Sequence, residues 1–213
     1  HSYKDMNGTT NLISRGAEIA FSRGMLIVVS AGNEGNTTEP HIGAPADAVS
    51  VIAVGAVNAV KTKASFSSVG SSYDLRVKPE VMAQGQAVVV SNASGSITTA
   101  NGTSFSSPIM AGLLACLWQA NPTKTNQEIR ELLLKSADRF VAPNNQYGYG
   151  IPDFGLALSG GVSANPYSKT AFLVYPNPTT DLVWVSLSES EKEGTICVYT
   201  VLGRKVLEKK ITV

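Results

Sequence analysis

The chain has 213 residues, a formal net charge of +1 and a hydrophobic share of 43%. This length suffices for one moderate domain and a small second one. The near-neutral charge implies no nucleic-acid or membrane-surface partner, and no apolar run is long enough to cross a bilayer. Cys116 and Cys197 fall in different predicted domains, so we expect no disulfide and two small buried hydrophobic residues.

The hydrophobic pattern predicts helices near residues 10–23, 104–118 and 126–139. Thr9 or Thr10 caps the first helix. Its expected apolar face carries Leu12, Ile13, Ala17, Ala20 and Phe21. The stretch 109–118 is apolar nearly all round, which predicts a helix buried in the core. A capping box of Thr125 and Glu128 opens the third helix.

Short apolar runs between these helices predict strands. The run MLIVV at 25–29 is continuous, as expected of a strand that is buried on both faces. Further strands are predicted at 50–57, 81–83 and 87–90. Strands that alternate with helices indicate an α/β fold with a mostly parallel sheet and flanking helices.

The most informative run is NGTSFSSPIMAG at residues 101–112. Gly102 allows a tight turn, and Ser104 then lies in the first turn of a helix, where free N–H groups and the helix dipole favour negative charge. Such a hydroxyl is well placed to form an oxyanion and to have it stabilised. A generic Ser or Thr cap explains Ser104 but not the spacing through Gly112. The run resembles the nucleophile motif Gly-Thr-Ser-x-Ser-x-Pro-x-x-Ala-Gly of the subtilisin-like serine proteases, or subtilases.

A second segment supports this resemblance. Residues 30–36 read SAGNEGN and follow a predicted buried strand, which resembles the subtilase loop that carries the oxyanion-hole Asn. The resemblance implies that the Asn33 side chain and the Ser104 N–H bind the oxyanion, and that Thr103 supports them. It also implies that Glu34 and Gly35 line the rim of a substrate pocket. Without the Ser104 motif, Asn33 is better interpreted as a turn residue.

The family mechanism also needs a His base and a buried Asp that orients it. His1 and His41 lie outside the His-Gly-Thr context of the family, and we interpret both as surface or loop residues. Asp5 and Asp47 look like loop residues. We therefore expect residues 1–159 to be a fragment of a subtilase catalytic domain that lacks the Asp and His segments.

The C-terminal region has a different pattern. Residues 160–170 have the composition of a linker, and 171–213 alternate as antiparallel strands do. The run YPNPTTD at 175–181 and the pattern VYxxxGRxV at 198–206 resemble the C-terminal sorting domain of the type IX secretion system of Bacteroidetes. The resemblance implies a small β-sandwich-like domain, expected to be truncated here, and a secreted or cell-surface protein. The alternative is any small β-sandwich appended to a secreted enzyme.

These patterns favour a serine-type endopeptidase that hydrolyses peptide bonds of a protein or peptide substrate through an acyl-enzyme on Ser104. We expect the complete parent to be active and this chain alone to be inactive. The alternative is a non-catalytic pseudoprotease or a surface-displayed binding module. An esterase is disfavoured because Ser106 occupies the last Gly position of its Gly-x-Ser-x-Gly elbow. We expect no metal site or cofactor in this chain, although the resemblance allows a structural calcium ion in the parent.

Overall fold

The computed structural model describes residues 2–160 and the stretches 173–175, 184–186, 193–199 and 205–212. The chain divides into two compact units, His1–Asn165 and Pro166–Val213. Most of the linker expected at 160–170 lies outside the described residues, and the exact domain limits stay a prediction.

The first unit is built on a three-stranded parallel sheet in the order β1-β2-β3. Its strands are β1 (Val28–Ser30), β2 (Ile52–Val57) and β3 (Val81–Gln84). Every residue of β2 is buried, as expected of a central strand covered on both faces. The three residues of β1 are only half-buried, so the prediction of a fully buried first strand is wrong. Among the described residues β1 pairs with β2 alone, which leaves its other edge open.

The helices of this unit are α1 (Leu12–Ser22), α2 (Thr103–Ala120), α3 (Asn126–Ser136) and α4 (Phe154–Leu158). The helix α1 begins after Asn11, not after Thr9 or Thr10. Those two threonines lie in a turn in which the Asn7 side chain accepts both of their N–H groups. The expected apolar face is wrong in part, because Leu12 is 78% exposed and Ile13 is 62% exposed.

The capping box that opens α3 is confirmed. The Thr125 hydroxyl accepts the Glu128 N–H, and the Glu128 carboxylate accepts the Thr125 N–H at 2.8 Å. The helix ends earlier than the predicted residue 139, because the N–H groups of Asp138 and Arg139 donate instead to the carbonyls of Ile151 and Tyr149. The short helix α4, capped by the Asp153 side chain, was not predicted.

The helix α2 is buried on one face only. Met110, Leu114 and Leu117 are buried, whereas Ile109 and Leu113, each one position before a buried residue, are 39% and 40% exposed. The prediction that this helix is buried nearly all round is therefore wrong. Its buried face forms the main core with residues of the sheet and of α3, including Ile52, Val54, Val81, Ile129 and Leu133.

In the sequence, a two-stranded hairpin lies between β3 and α2. It pairs β4 (Val88–Ser91) with β5 (Ile97–Ala100) in antiparallel register, apart from the parallel sheet. The strand β5 was not predicted, because its residues are largely polar and exposed. The turn between the strands is shaped by Asn92, whose side chain accepts the N–H groups of Ser94 and Ser96.

The described parts of the second unit are two antiparallel strand pairs. One joins β6 (Leu173–Tyr175) to β7 (Trp184–Ser186), and the other joins β8 (Glu193–Tyr199) to β9 (Lys205–Thr212). The complete sandwich stays a prediction. Cys197 in β8 and Cys116 in α2 are both free and exposed, so the prediction of two buried cysteines is wrong.

Two neighbouring leucines of α2 test this one-sided burial. We expect Leu114→Ala to lower the free energy of unfolding by about 2–5 kcal/mol, because it removes a buried side chain and leaves a cavity. Leu113→Ala, the matched control at a 40% exposed position, should lower it by clearly less, by about 1 kcal/mol. Urea unfolding of both variants measures the difference. Equal losses would contradict the assignment of the buried face.

Candidate active site

The turn that carries Ser104 is fixed to the end of the sheet. Gly102 has φ +153°, a conformation that favours glycine, and its N–H donates to the Gly85 carbonyl at 2.8 Å, just after β3. Thr103 then begins α2, and Ser104 follows as an exposed residue in its first turn. The sheet and the buried face of α2 thus present the Ser104 hydroxyl to solvent.

The Asn33 side chain reaches this turn from the end of β1. Its Oδ1 accepts the Thr103 backbone N–H at 2.9 Å and the Thr103 hydroxyl at 3.0 Å. An amide has its acceptor on oxygen and its donors on nitrogen. With Oδ1 engaged twice, the Nδ2 donors remain for another partner. Nδ2 lies beside the turn, 3.7 Å from the position that a Cβ atom on Gly102 would take.

The Thr103 hydroxyl connects the two loops. It donates to Asn33 Oδ1 and also accepts the Gly32 N–H at 3.3 Å. A hydroxyl can donate once and accept twice, so both bonds use its ordinary capacity. They hold the Asn33 amide in one orientation relative to the start of α2.

The first turn of α2 offers a second free donor. The Thr103 N–H is bound by Asn33, and the Phe105 N–H donates to the Gly102 carbonyl at 3.1 Å. The Ser104 N–H has no acceptor among the described residues. A free amide at a helix N-terminus attracts negative charge. The Ser104 N–H and Asn33 Nδ2 are thus two donors at the turn that carries the exposed Ser104.

Within residues 2–160 no histidine or carboxylate forms a hydrogen bond with Ser104. His41 is half-buried and stacks on Tyr3, with ring centroids 3.9 Å apart. Asp47 is fully buried and accepts the Gly8 N–H and the Ser14 hydroxyl. His1 lies outside the described residues. The geometry therefore brings Ser104, Thr103 and Asn33 together without joining a base to the hydroxyl.

Glu34 and Gly35 continue the Asn33 loop. The Glu34 N–H donates to Ser68 Oγ at 3.0 Å. Gly35 packs closely on the neighbouring loop, where a Cβ atom would lie 2.1 Å from the Ser67 carbonyl oxygen. These contacts explain why position 35 lacks a side chain. A role of either residue at the rim of a substrate pocket stays a prediction.

Sequence reasoning missed the part played by Ser68. Gly32 has φ +112°, and a Cβ atom there would lie 2.7 Å from Ser68 Oγ. The Ser68 N–H also donates to the Gly32 carbonyl at 3.0 Å. Ser68 therefore packs against the turn at Gly32, and this turn orients Asn33. The only signal was the run ASFSSVG at 64–70, which resembles a subtilase loop.

Within the described part of the chain, no group of three or more His, Cys, Asp or Glu side chains could hold a metal ion. The calcium ion expected for the parent stays a prediction. No helix in that part is long and apolar enough to cross a membrane.

A family model described as the subtilase family matches residues 2–150. The chain belongs to the subtilase family. A model described as the secretion system C-terminal sorting domain matches residues 173–213 of this subtilase. That match indicates a protein that is secreted or located at the cell surface.

Relatives of this subtilase include subtilisin DY of Bacillus licheniformis, which is 38% identical over 146 residues, covering 68% of this chain and 50% of the relative. The serine protease AprX of Bacillus subtilis (strain 168) is 32% identical over 158 residues, or 64% of this chain and 36% of the relative. The self-cleaved protease domain of PatA superposes with a TM-score of 0.58 at 28% identity, over 70% of this chain and 55% of that one. This subtilase thus spans half or less of the length of the two Bacillus relatives and 55% of the PatA domain.

Ser106 on α2 provides a test of the packing beneath the site. It is fully buried, its Oγ has no hydrogen-bond partner among the described residues, and it packs directly against Gly85. An unpaired buried hydroxyl costs about 1–3 kcal/mol. We therefore expect Ser106→Ala to keep or raise the free energy of unfolding, by up to about 1 kcal/mol.

Ser14→Ala is the matched control. Ser14 is equally buried, but its hydroxyl donates to Asp47 Oδ1 at 2.5 Å. Its loss leaves a buried carboxylate short of a donor, so we expect a loss of about 1–3 kcal/mol. Thermal unfolding of the two variants separates them. A clear destabilisation by Ser106→Ala would mean that the hydroxyl has a partner.

Proposed function

We propose that this subtilase supplies the nucleophile and the oxyanion hole of a serine endopeptidase. Ser104 attacks the carbonyl carbon of a peptide bond in a protein or peptide substrate. Asn33 Nδ2 and the Ser104 N–H donate to the oxyanion that forms, and Thr103 holds the Asn33 amide in place. Glu34 and Gly35 line the pocket for the residue before the scissile bond.

One observation carries this proposal: Asn33 Oδ1 is bound by both donors of Thr103, at 2.9 and 3.0 Å. The bonds fix the acceptor end of the amide, so its donor end needs no reorganisation when charge develops on the substrate. Donors that are preorganised in this way stabilise the transition state more than the ground state. The kinship with subtilisins supports serine protease chemistry in general.

The absence of a base beside Ser104 among the described residues favours a second candidate. In that case residues 1–159 act without catalysis, as a pseudoprotease or a surface-displayed binding module. In both cases we propose that residues 171–213 form a small antiparallel sandwich that engages the secretion machinery. We propose no cofactor for this chain.

A reactivity test addresses the competence of the chain alone. We expect residues 1–213 to react slowly with a fluorophosphonate probe and not to cleave casein, because an unactivated serine hydroxyl is a weak nucleophile near neutral pH. Mass spectrometry locates the label, and Ser104→Ala gives the background. Rapid labelling of Ser104 together with casein cleavage would show that a base is present.

A kinetic test addresses the oxyanion hole in the whole protein. Asn33→Leu keeps the approximate size of the side chain but removes its donor, together with the acceptor of Thr103. We expect kcat to fall by about 10²–10³ with little change in KM, the usual effect of losing one oxyanion donor. Steady-state kinetics on a peptide substrate measure both constants.

Asn36→Leu is the control for this experiment, because Asn36 is an exposed residue of the same loop. It should leave both constants unchanged. A loss confined to KM in Asn33→Leu would assign Asn33 to substrate positioning. Normal turnover in that variant would overturn the proposed oxyanion role.

A further inference from the structure

The segment 47–50, which leads into β2, is held by charged side chains from several parts of the unit. Three consecutive carbonyls of this segment each accept a hydrogen bond from a different cation. The bonds run from Arg76 Nη2 to the Asp47 carbonyl at 2.7 Å, from Lys78 Nζ to that of Ala48 at 2.7 Å, and from Arg130 Nη2 to that of Val49 at 3.4 Å. At the end of the segment, the Ser50 N–H donates to Glu18 Oε1 at 2.7 Å.

Lys78 is the most deeply buried of the three cations. Its side chain is 1% exposed, and Nζ lies 2.6 Å from Oε1 of Glu80, which is itself 3% exposed. The other oxygen of Glu80 accepts the Ala53 N–H at 2.8 Å, within β2. Arg130 on α3 also reaches Glu80 Oε1, at 3.3 Å. One buried ion pair thus ties the segment 47–50 to β2 and α3.

The residues just before this segment pack against the end of β1. Ile42, Ala46, Ala31 and Ala53 form one buried cluster. Ala31 directly precedes Gly32 and the Asn33 loop. The Lys78–Glu80 pair binds the Ala48 carbonyl, two residues after Ala46, and the N–H of Ala53, which belongs to the cluster.

We propose that Lys78 is a positioning residue for the oxyanion site. Its ammonium group holds the segment 47–50, this segment holds Ala46 and Ile42 against Ala31, and Ala31 fixes the backbone from which Asn33 reaches Thr103. The proposal builds on the role given to Asn33 above. Each step of the path is a covalent link, a packing contact or a hydrogen bond between described residues.

If Lys78 only stabilised the fold, order at Asn33 would change with pH in the same direction as stability. Desolvation by burial lowers the pKa of Lys78 below its ordinary value of 10.5, against the opposing attraction of Glu80. Between the lowered and the ordinary pKa the unfolded chain binds more protons than the folded one, so the contribution of Lys78 to stability rises with pH. The ammonium bonds to Ala48 and Glu80 weaken over the same range. If Lys78 positions Asn33, the Asn33 side chain should therefore become less ordered over this pH range, although the contribution of Lys78 to stability increases.

Other charged groups around Lys78 bear on this titration. Glu80, Arg76 and Arg130 act directly on its ammonium group, whereas the carboxylates of Asp47 and Glu18 bind Gly8, Ser14 and Ser50. Burial lowers the pKa of Lys78 in this cluster, and its own ¹³Cε resonance therefore serves as the reference for the titration.

The test uses the whole chain labelled with ¹⁵N and ¹³C. Carbon-detected NMR follows the Asn33 ¹³Cγ, the Thr103 ¹³Cβ and the Lys78 ¹³Cε from neutral pH to about pH 11. We expect the Asn33 and Thr103 resonances to shift with the midpoint of Lys78. In Lys78→Met they should already be displaced at neutral pH and should no longer titrate, and Lys78→Arg should restore them in part.

Lys135→Met is the control, since Lys135 is a 44% exposed lysine on α3 that pairs with Glu131. In this variant the Asn33 and Thr103 resonances should shift with pH as they do in the unmodified chain. Constant Asn33 and Thr103 resonances through the Lys78 transition would overturn the proposal, and this readout stands even if Lys78→Met fails to fold. If the Asn33 and Thr103 resonances follow the titration of Lys78 but Asn33→Leu does not change turnover, the oxyanion role of Asn33 is overturned instead.

Discussion

The candidate site depends on one interaction, the pair of hydrogen bonds that Asn33 Oδ1 accepts from Thr103. They join the end of β1 to the start of α2 across 70 positions of sequence. Both elements are anchored in the same core, because α2 packs on the sheet that contains β1. The bonds therefore link two parts that already have fixed positions, and little conformational freedom remains to be lost when the site forms.

The two ends of the Asn33 amide form different hydrogen bonds, because its oxygen accepts and its nitrogen donates. A carboxylate at position 33 could accept the same two bonds, but its other oxygen would be a second acceptor where Asn33 has donors. An aliphatic residue would leave the Thr103 N–H and hydroxyl without their partner. An amide satisfies the helix end with its oxygen and offers two donors on its nitrogen. The choice of Asn at the end of β1 follows from this double requirement.

The sequence predicted the parts of the fold in which local chemistry decides the outcome. The capping box of α3 was confirmed because Thr125 and Glu128 bind each other's backbone over a separation of three residues. The parallel strands β2 and β3 were predicted because burial on both faces requires continuous apolar residues. The motif around Ser104 and the loop around Asn33 led to the family by resemblance.

Burial could not be predicted where it depends on neighbours in space. Composition makes α2 look apolar all round, but the structure covers only the side of Met110 and Leu114. Cys116 lies on the uncovered side and is exposed for the same reason. Ser68 escaped notice because its bonds to the Asn33 loop span more than thirty residues. The strand β5 was missed because an exposed polar hairpin strand has no hydrophobic period.

The hairpin β4–β5 is closed at its base by one further bond. The Ala87 N–H donates to Asn101 Oδ1 at 2.7 Å, and the Gly102 N–H next to it is bound to the Gly85 carbonyl. These two bonds fix the chain just before β4 and just after β5, next to Ser104. The entropy of closing a loop grows only slowly with its length. A longer or shorter hairpin tip around Asn92 is therefore compatible with the same geometry at Ser104.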